Sequence, residues 1–133
     1  MPTMPGLFRP DGKQSAKQVR QEADKRRGTA RERGYTSRWD REATVFKRNN
    51  PLCLGCQAVG RTAAAVVVDH TMPHRGDQKL FWERANRQPS CKWHHDVVKQ
   101  RLEQMHADGK IATDQLRLDS ATAKELTMRL DPL

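Results

Sequence analysis

Aromatic side chains are scarce in this chain: three Phe, three Trp and one Tyr among 133 residues. Hydrophobic residues reach only 35%. A chain this lean buries little apolar surface, and small cores of that kind need a staple. Long apolar runs are missing too. The longest, Ala63 to Val68, is far too short to cross a bilayer, and no apolar h-region follows Met1. These absences predict a chain without a membrane span in a reducing cytoplasm. There, three cysteines read as metal ligands or free thiols rather than as disulfides. Repeats and low-complexity tracts are also absent.

Positive charge is abundant, with a formal net charge of +9 and a pI near 10.0. It is uneven: residues 1–48 hold 13 Lys/Arg against 6 Asp/Glu, and residues 49–133 hold 12 against 10. A basic arm ahead of a near-neutral body predicts a polyanionic partner, DNA or RNA first. The bland alternative is a solubilising tail. Residues 1–34 are poor in large apolar side chains and read as a largely disordered arm with a transient helix from Ser15 to Arg27.

A first firm helix is expected over 37–47, capped by Thr36 or Ser37, with Trp39, Ala43 and Phe46 on one face. Asn49-Asn50-Pro51 stops it. Ala65 to Asp69 is β-branched and continuous and reads as a buried strand, and Gln88 to Cys91 as a second one. One or two helical turns over 80–84 carry Phe81 and Trp82, both expected as core fillers. A helix from Trp93 or His94 to about Ala107 has Val98, Leu102 and Met105 on its apolar face and is closed by Gly109. A last helix is expected over 120–130.

Two pairs stand out. Cys53 and Cys56 are spaced C-x2-C, and Cys91 and His94 are spaced C-x2-H. Two intervening residues let one tight turn bring both side chains to a point, so the pairs together offer three thiolates and an imidazole, the donor set of a closed zinc site. The 34 residues between them make this a staple around an inserted unit. Such a site adds folding free energy of order 10 kcal/mol in small zinc peptides, which a lean core lacks. Spacing alone leaves His94 and His95 open as the fourth ligand.

A second cluster comprises Asp69-His70 at the strand end, Asn86 in the loop and His95 at the helix start. The string VVVDHTMPHRGDQKLFWERANRQPSCKWHHD, preceded by NNPLCLGCQAVGR, resembles the phage and prophage HNH endonucleases. The resemblance spans about residues 35–100 and rests on motif elements in order at matching spacing. It implies an α+β fold: a small ββα-metal (His-Me finger) core stapled by a Cys3His zinc site, with flanking helices. It also implies an HNH nuclease domain over 35–107; the chain beyond it, 108–133, lies outside the resemblance and reads as a helical extension. By the resemblance, His70 is the general base. Asp69 and His95 are ligands of a catalytic cation, Mg2+, Mn2+ or similar. Asn86 orients His70 or the loop, and His94 falls to zinc. His74 and Arg75 are candidate phosphate contacts, with local hydrogen bonding or a surface position as the alternatives.

Two departures from the family pattern are visible. His94 stands where relatives usually carry cysteine. A lysine common three residues after the final histidine is here Val98, with Lys99 next.

The chemistry suits these residue types. A neutral imidazole takes water's proton, and a cation held by one carboxylate and one imidazole keeps positions open for phosphate oxygens. Consecutive strand residues face opposite ways, so Asp69 and His70 need a bulge or the strand's end to reach one cleft. The expected function is metal-dependent DNA cleavage or nicking with low sequence specificity. By the resemblance it acts beside a phage terminase in a bacterial host's cytoplasm. RNA is the alternative substrate, and a non-catalytic zinc module binding DNA or a partner is the competing function.

Overall fold

A computed structural model describes residues 15–27 and 35–131. The chain divides into two units, 1–36 and 37–133. In the first, the described segment is helix α1 (Ala16–Arg27), where the sequence suggested a transient helix. The hydroxyl of Ser15 accepts from the Gln18 amide N–H, and the Gln18 side chain accepts from the Ser15 amide, a reciprocal cap. The rest of the basic arm lies outside the described residues.

The second unit opens with α2 (Ser37–Asn49), whose inward face carries buried Trp39 with half-buried Ala43 and Phe46 at helical spacing. A short helix, α3 (Leu54–Ala58), follows Cys53. Strand β1 (Val67–His70) pairs antiparallel with β2 (Arg87–Ser90) in an unbroken register, Val67 to Ser90 through His70 to Arg87. The connection between them holds α4 (Gln78–Trp82) and a 3-10 turn over Arg84–Asn86. After β2 the chain winds through a wide π-type turn, His94–Lys99, into α5 (Gln100–Ala107). Gly109, at φ +74, closes that helix in the conformation glycine adopts without strain. A 3-10 turn over Thr113–Leu116 leads to α6 (Ala121–Leu130), capped by the Ser120 hydroxyl accepting from the Ala123 amide.

The expected buried strand over 65–69 is shorter and shifted, and only Asp69 and His70 are buried within it. A two-stranded sheet has too few neighbours to cover both faces, and Val66, just before it, is 54% exposed. The apolar core sits instead between the helices after β2. Val98, Leu102, Leu116, Leu118, Ala123 and Leu126 form one buried cluster. The chain after Ala107 thus supplies four of these six residues and belongs to the same compact unit as the hairpin. Among the described residues no helix is long and apolar enough to cross a membrane.

Candidate metal centre and the adjoining carboxylate–histidine cluster

The two spaced pairs converge. One ligand atom from each of Cys53, Cys56, Cys91 and His94 lies within 4.8 Å of the other three. Local structure explains why. The backbone N–H of Cys53 donates to Ala63 O and the N–H of Gln57 donates to Cys53 O, folding the first pair around the start of α3. Cys91 follows β2, and the His94 amide points back at its sulfur, 3.4 Å away. Gly55 is essential to the meeting. A Cβ there would stand 2.2 Å from His94 Cδ2, so any larger residue drives the ring out of the cluster.

The spacing fits a tetrahedral ion. Bonds of about 2.3 Å to sulfur and 2.0–2.1 Å to nitrogen set tetrahedral edges of about 3.8 Å between sulfurs and about 3.5 Å between sulfur and nitrogen. The Cys56 and Cys91 sulfurs are 3.9 Å apart, and each is 3.5 Å from His94 Nδ1. Electrostatics agree. Burial and the neighbouring Cys53 push the Cys56 thiol up to about 12. Burial would raise Cys53 as well, but its contacts with His94 and with the backbone at Cys91 and Cys56 outweigh it and bring it down to about 6. Without a cation, then, the cluster ionises one thiol readily and resists the rest. A bound divalent cation removes that resistance, so the group can hold a metal such as zinc.

The neighbouring histidine serves a different place. His95 Nδ1 lies 3.0 Å from Asp69 Oδ1. The other oxygen, Oδ2, accepts from Gln88 Nε2 at 2.8 Å and pairs with Lys99 Nζ at 3.1 Å. Gln88 stands directly across the ladder from Asp69, while His95 and Lys99 are one helical turn apart and therefore share a face. Asp69 is 3% exposed and the His95 side chain 35%. Burial works to raise the Asp69 carboxyl, but His95, Lys99 and Gln88 prevail and hold it low, and the same Asp69 contact raises His95.

Lys99 completes this cluster. Its side chain is fully buried, and its ammonium donates to His70 O at 2.8 Å and to Glu103 Oε2 at 2.7 Å in addition to Asp69. It is an internal counter-charge for two carboxylates, with its donors turned inward and away from any external phosphate. Val98, three residues after His95, is core.

His70 has another set of neighbours. Its Nε2 lies 3.0 Å from Phe81 O; a carbonyl only accepts, so Nε2 carries the proton. The ring stacks on Trp39 at 5.0 Å and meets Phe81 and His74. Burial lowers it to about 4, so it stays neutral. The register through His70 is unbroken, so β1 has no bulge, and the strand end is what frees the residue. The contacts of Asp69 come from β2 and the following helix, whereas those of the His70 ring come from α2, α4 and the loop. Lys99 links them through the His70 carbonyl.

Asn86 ties the connection shut. Its Oδ1 accepts from the Met72 amide at 2.7 Å, and its Nδ2 donates to Met72 O and Leu80 O. His74 Nδ1 accepts from the Gly76 amide at 3.0 Å, a local bond. Arg75 is exposed in a tight turn with φ +48. Arg87 is buried: it pairs with Glu42 at 3.0 Å, donates to Trp82 O and lies over Trp39. Two grooves of about 410 and 390 Å³ open beside α2, and neither is lined by Asp69, His70 or His95. Comparisons with known protein families, with curated proteins and with solved structures find no match to this chain.

Proposed function

We propose that this chain is a zinc-stapled HNH endonuclease that hydrolyses phosphodiester bonds in DNA. The observation that carries the reading is the pairing of Asp69 with His95, 3.0 Å apart between a two-stranded hairpin and the helix after it. A neutral histidine directly follows Asp69 on the strand. This is the order of the ββα-metal core that the sequence resemblance implies.

The residues divide the work. His70 donates from Nε2 to Phe81 O, which makes Nδ1 its basic nitrogen, the atom that takes a proton from the attacking water. Asn86 fixes the loop that follows His70. Asp69 and His95 would hold the catalytic divalent cation, Mg2+ or Mn2+, once His95 is neutral. When bound, that cation supplies Lewis-acid stabilisation of charge on the phosphate. Cys53, Cys56, Cys91 and His94 hold structural zinc. The basic residues of 1–48, with His74 and Arg75 as contact candidates, neutralise phosphates with little reading of base edges. By family resemblance the setting is a phage genome-packaging system, with a terminase as partner in the bacterial cytoplasm.

One observation favours the competing reading, a zinc module that only binds DNA or a partner. Asp69 is almost fully covered, with both oxygens already engaged. Plasmid nicking separates the two. The expected result is nicking with Mn2+ or Mg2+ that EDTA abolishes and that His70→Ala lowers at least 100-fold. Retained DNA binding without cleavage selects the binding module, and a parallel RNA substrate tests the polymer.

A further inference from the structure

One buried side chain of α6, outside the stretch that carries the resemblance, reaches the metal-ligand cluster. Thr127 is fully buried, and its Oγ1 lies 3.0 Å from His94 Nε2 and 2.8 Å from Ala123 O. The carbonyl can only accept, so the single hydroxyl hydrogen is committed to Ala123. Toward His94 the hydroxyl oxygen can therefore only accept, and Nε2 must carry the ring proton. That leaves Nδ1 bare, and Nδ1 is the atom 3.5 Å from both the Cys56 and Cys91 sulfurs.

We propose that Thr127 is a positioning residue of the metal centre. It selects the His94 tautomer that can ligate and fixes the ring's direction, so that binding of the metal and docking of α6 stabilise each other. The inference rests on the zinc reading above and extends it to a helix with no ligand of its own. The chemistry is particular to an imidazole ligand. A thiolate has no tautomer to select, whereas an imidazole needs a partner on its far nitrogen. Gly55 pins the ring from beneath, since no Cβ fits there, and Thr127 pins it at its outer edge. Arg61 pairs with Asp131 just beyond α6, fixing the same helix to the segment after α3.

Zinc affinity, measured on the full chain by competition with a chromophoric chelator, tests the proposal. Thr127→Val keeps the shape, removes the acceptor and is expected to weaken Zn2+ binding 10–100-fold, the usual cost of losing such an outer partner. Thr127→Ser, which keeps the acceptor, is expected to restore wild-type affinity. In a His94→Cys background the valine substitution is expected to change affinity little. Unchanged affinity in Thr127→Val overturns the proposal. An equal loss in the His94→Cys background also overturns it, because Thr127 would then act through packing alone. If Thr127→Val does not fold, the double variant decides: a folded, zinc-bound double variant supports the proposal, and an unfolded one sinks it. A wild-type chain that binds no Zn2+ fails differently, removing the zinc reading itself.

Discussion

His94 and His95 are adjacent in sequence but belong to different centres. His94 joins three thiols, two of them buried and one of those pushed up to about 12. His95 meets a carboxylate whose charge is already balanced by the fully buried Lys99. The first centre resists ionising its thiols without a cation, so a metal bound there would contribute to folding. The second is satisfied without one, so a metal there has to compete with internal partners. On the function proposed above, the contrast predicts a permanent ion beside an exchangeable one.

The largest effect should come from breaking the first centre. Cys53→Ala or Cys91→Ala should unfold the unit 37–133, because about 10 kcal/mol of metal-linked folding energy matches or exceeds a typical domain's total stability of about 5–15 kcal/mol. Gly55→Ala should act by shape alone, expelling the His94 ring and lowering zinc stoichiometry. His70→Ala should stay folded. Thermal melts with and without a strong chelator, together with metal content by mass spectrometry, check all four. Cysteine variants that melt like wild type would erase the contrast.

Lys99→Met should be next in size. It removes the cation shared by Asp69 and Glu103 and leaves a buried carboxylate short of its partner, at a cost of about 3–5 kcal/mol. Urea denaturation measures it. A much smaller loss would mean the ammonium reaches water and the second centre is less balanced than its geometry indicates.

The pH response should be somewhat smaller, with opposite signs from neighbouring residues. The unfolded chain protonates His70 near 6.5, but burial delays this in the fold to about 4. The unfolded state binds more protons in that window, so stability should fall as pH drops from 6.5 to 4, by at most about 3 kcal/mol. Asp69, held low, adds stability that is present above the ordinary carboxylate range and lost as acid protonates it. His95 is raised, so its contribution is full below 6.5 and lost as pH climbs through its folded value. A cation between Asp69 and His95 requires neutral His95. Excess Mn2+ should therefore flatten the alkaline decline and leave the acid limb in place. His70→Ala should remove most of the acid limb in urea melts run from pH 4 to 9.

The features legible in the sequence are those set by near neighbours. The face of α2 follows helical spacing, Gly109 closes α5 where a positive φ is required, and the two paired spacings bring four metal-ligand atoms together. The division between His94 and His95 was not legible from spacing, because it depends on which face of the helix meets β1. Lys99 gave no signal either. Lysine is ordinarily a surface residue, and only the fold brings Asp69, the His70 carbonyl and Glu103 around its ammonium. Arg87, Gln88 and Thr127 were missed for the same reason: their partners are 45, 19 and 33 residues away. Residue type and local period carry no record of such distant contacts.

The smallest predicted effect sharpens the account of the second centre. Glu103 is the outermost of the three acceptors on Lys99, with its side chain 30% exposed. Glu103→Gln keeps an acceptor oxygen in place and removes only a partly solvated charge, so the expected stability loss is about 0.5–1 kcal/mol. The ammonium must then lean more heavily on Asp69, and an Asp69 more fully paired to Lys99 is a poorer ligand for an exchangeable cation. Mn2+ titration of Glu103→Gln should accordingly show weaker binding with nearly unchanged zinc content. Unchanged Mn2+ affinity would show that Lys99 does not compete with a cation for Asp69, leaving Gln88 and His95 as its internal competitors.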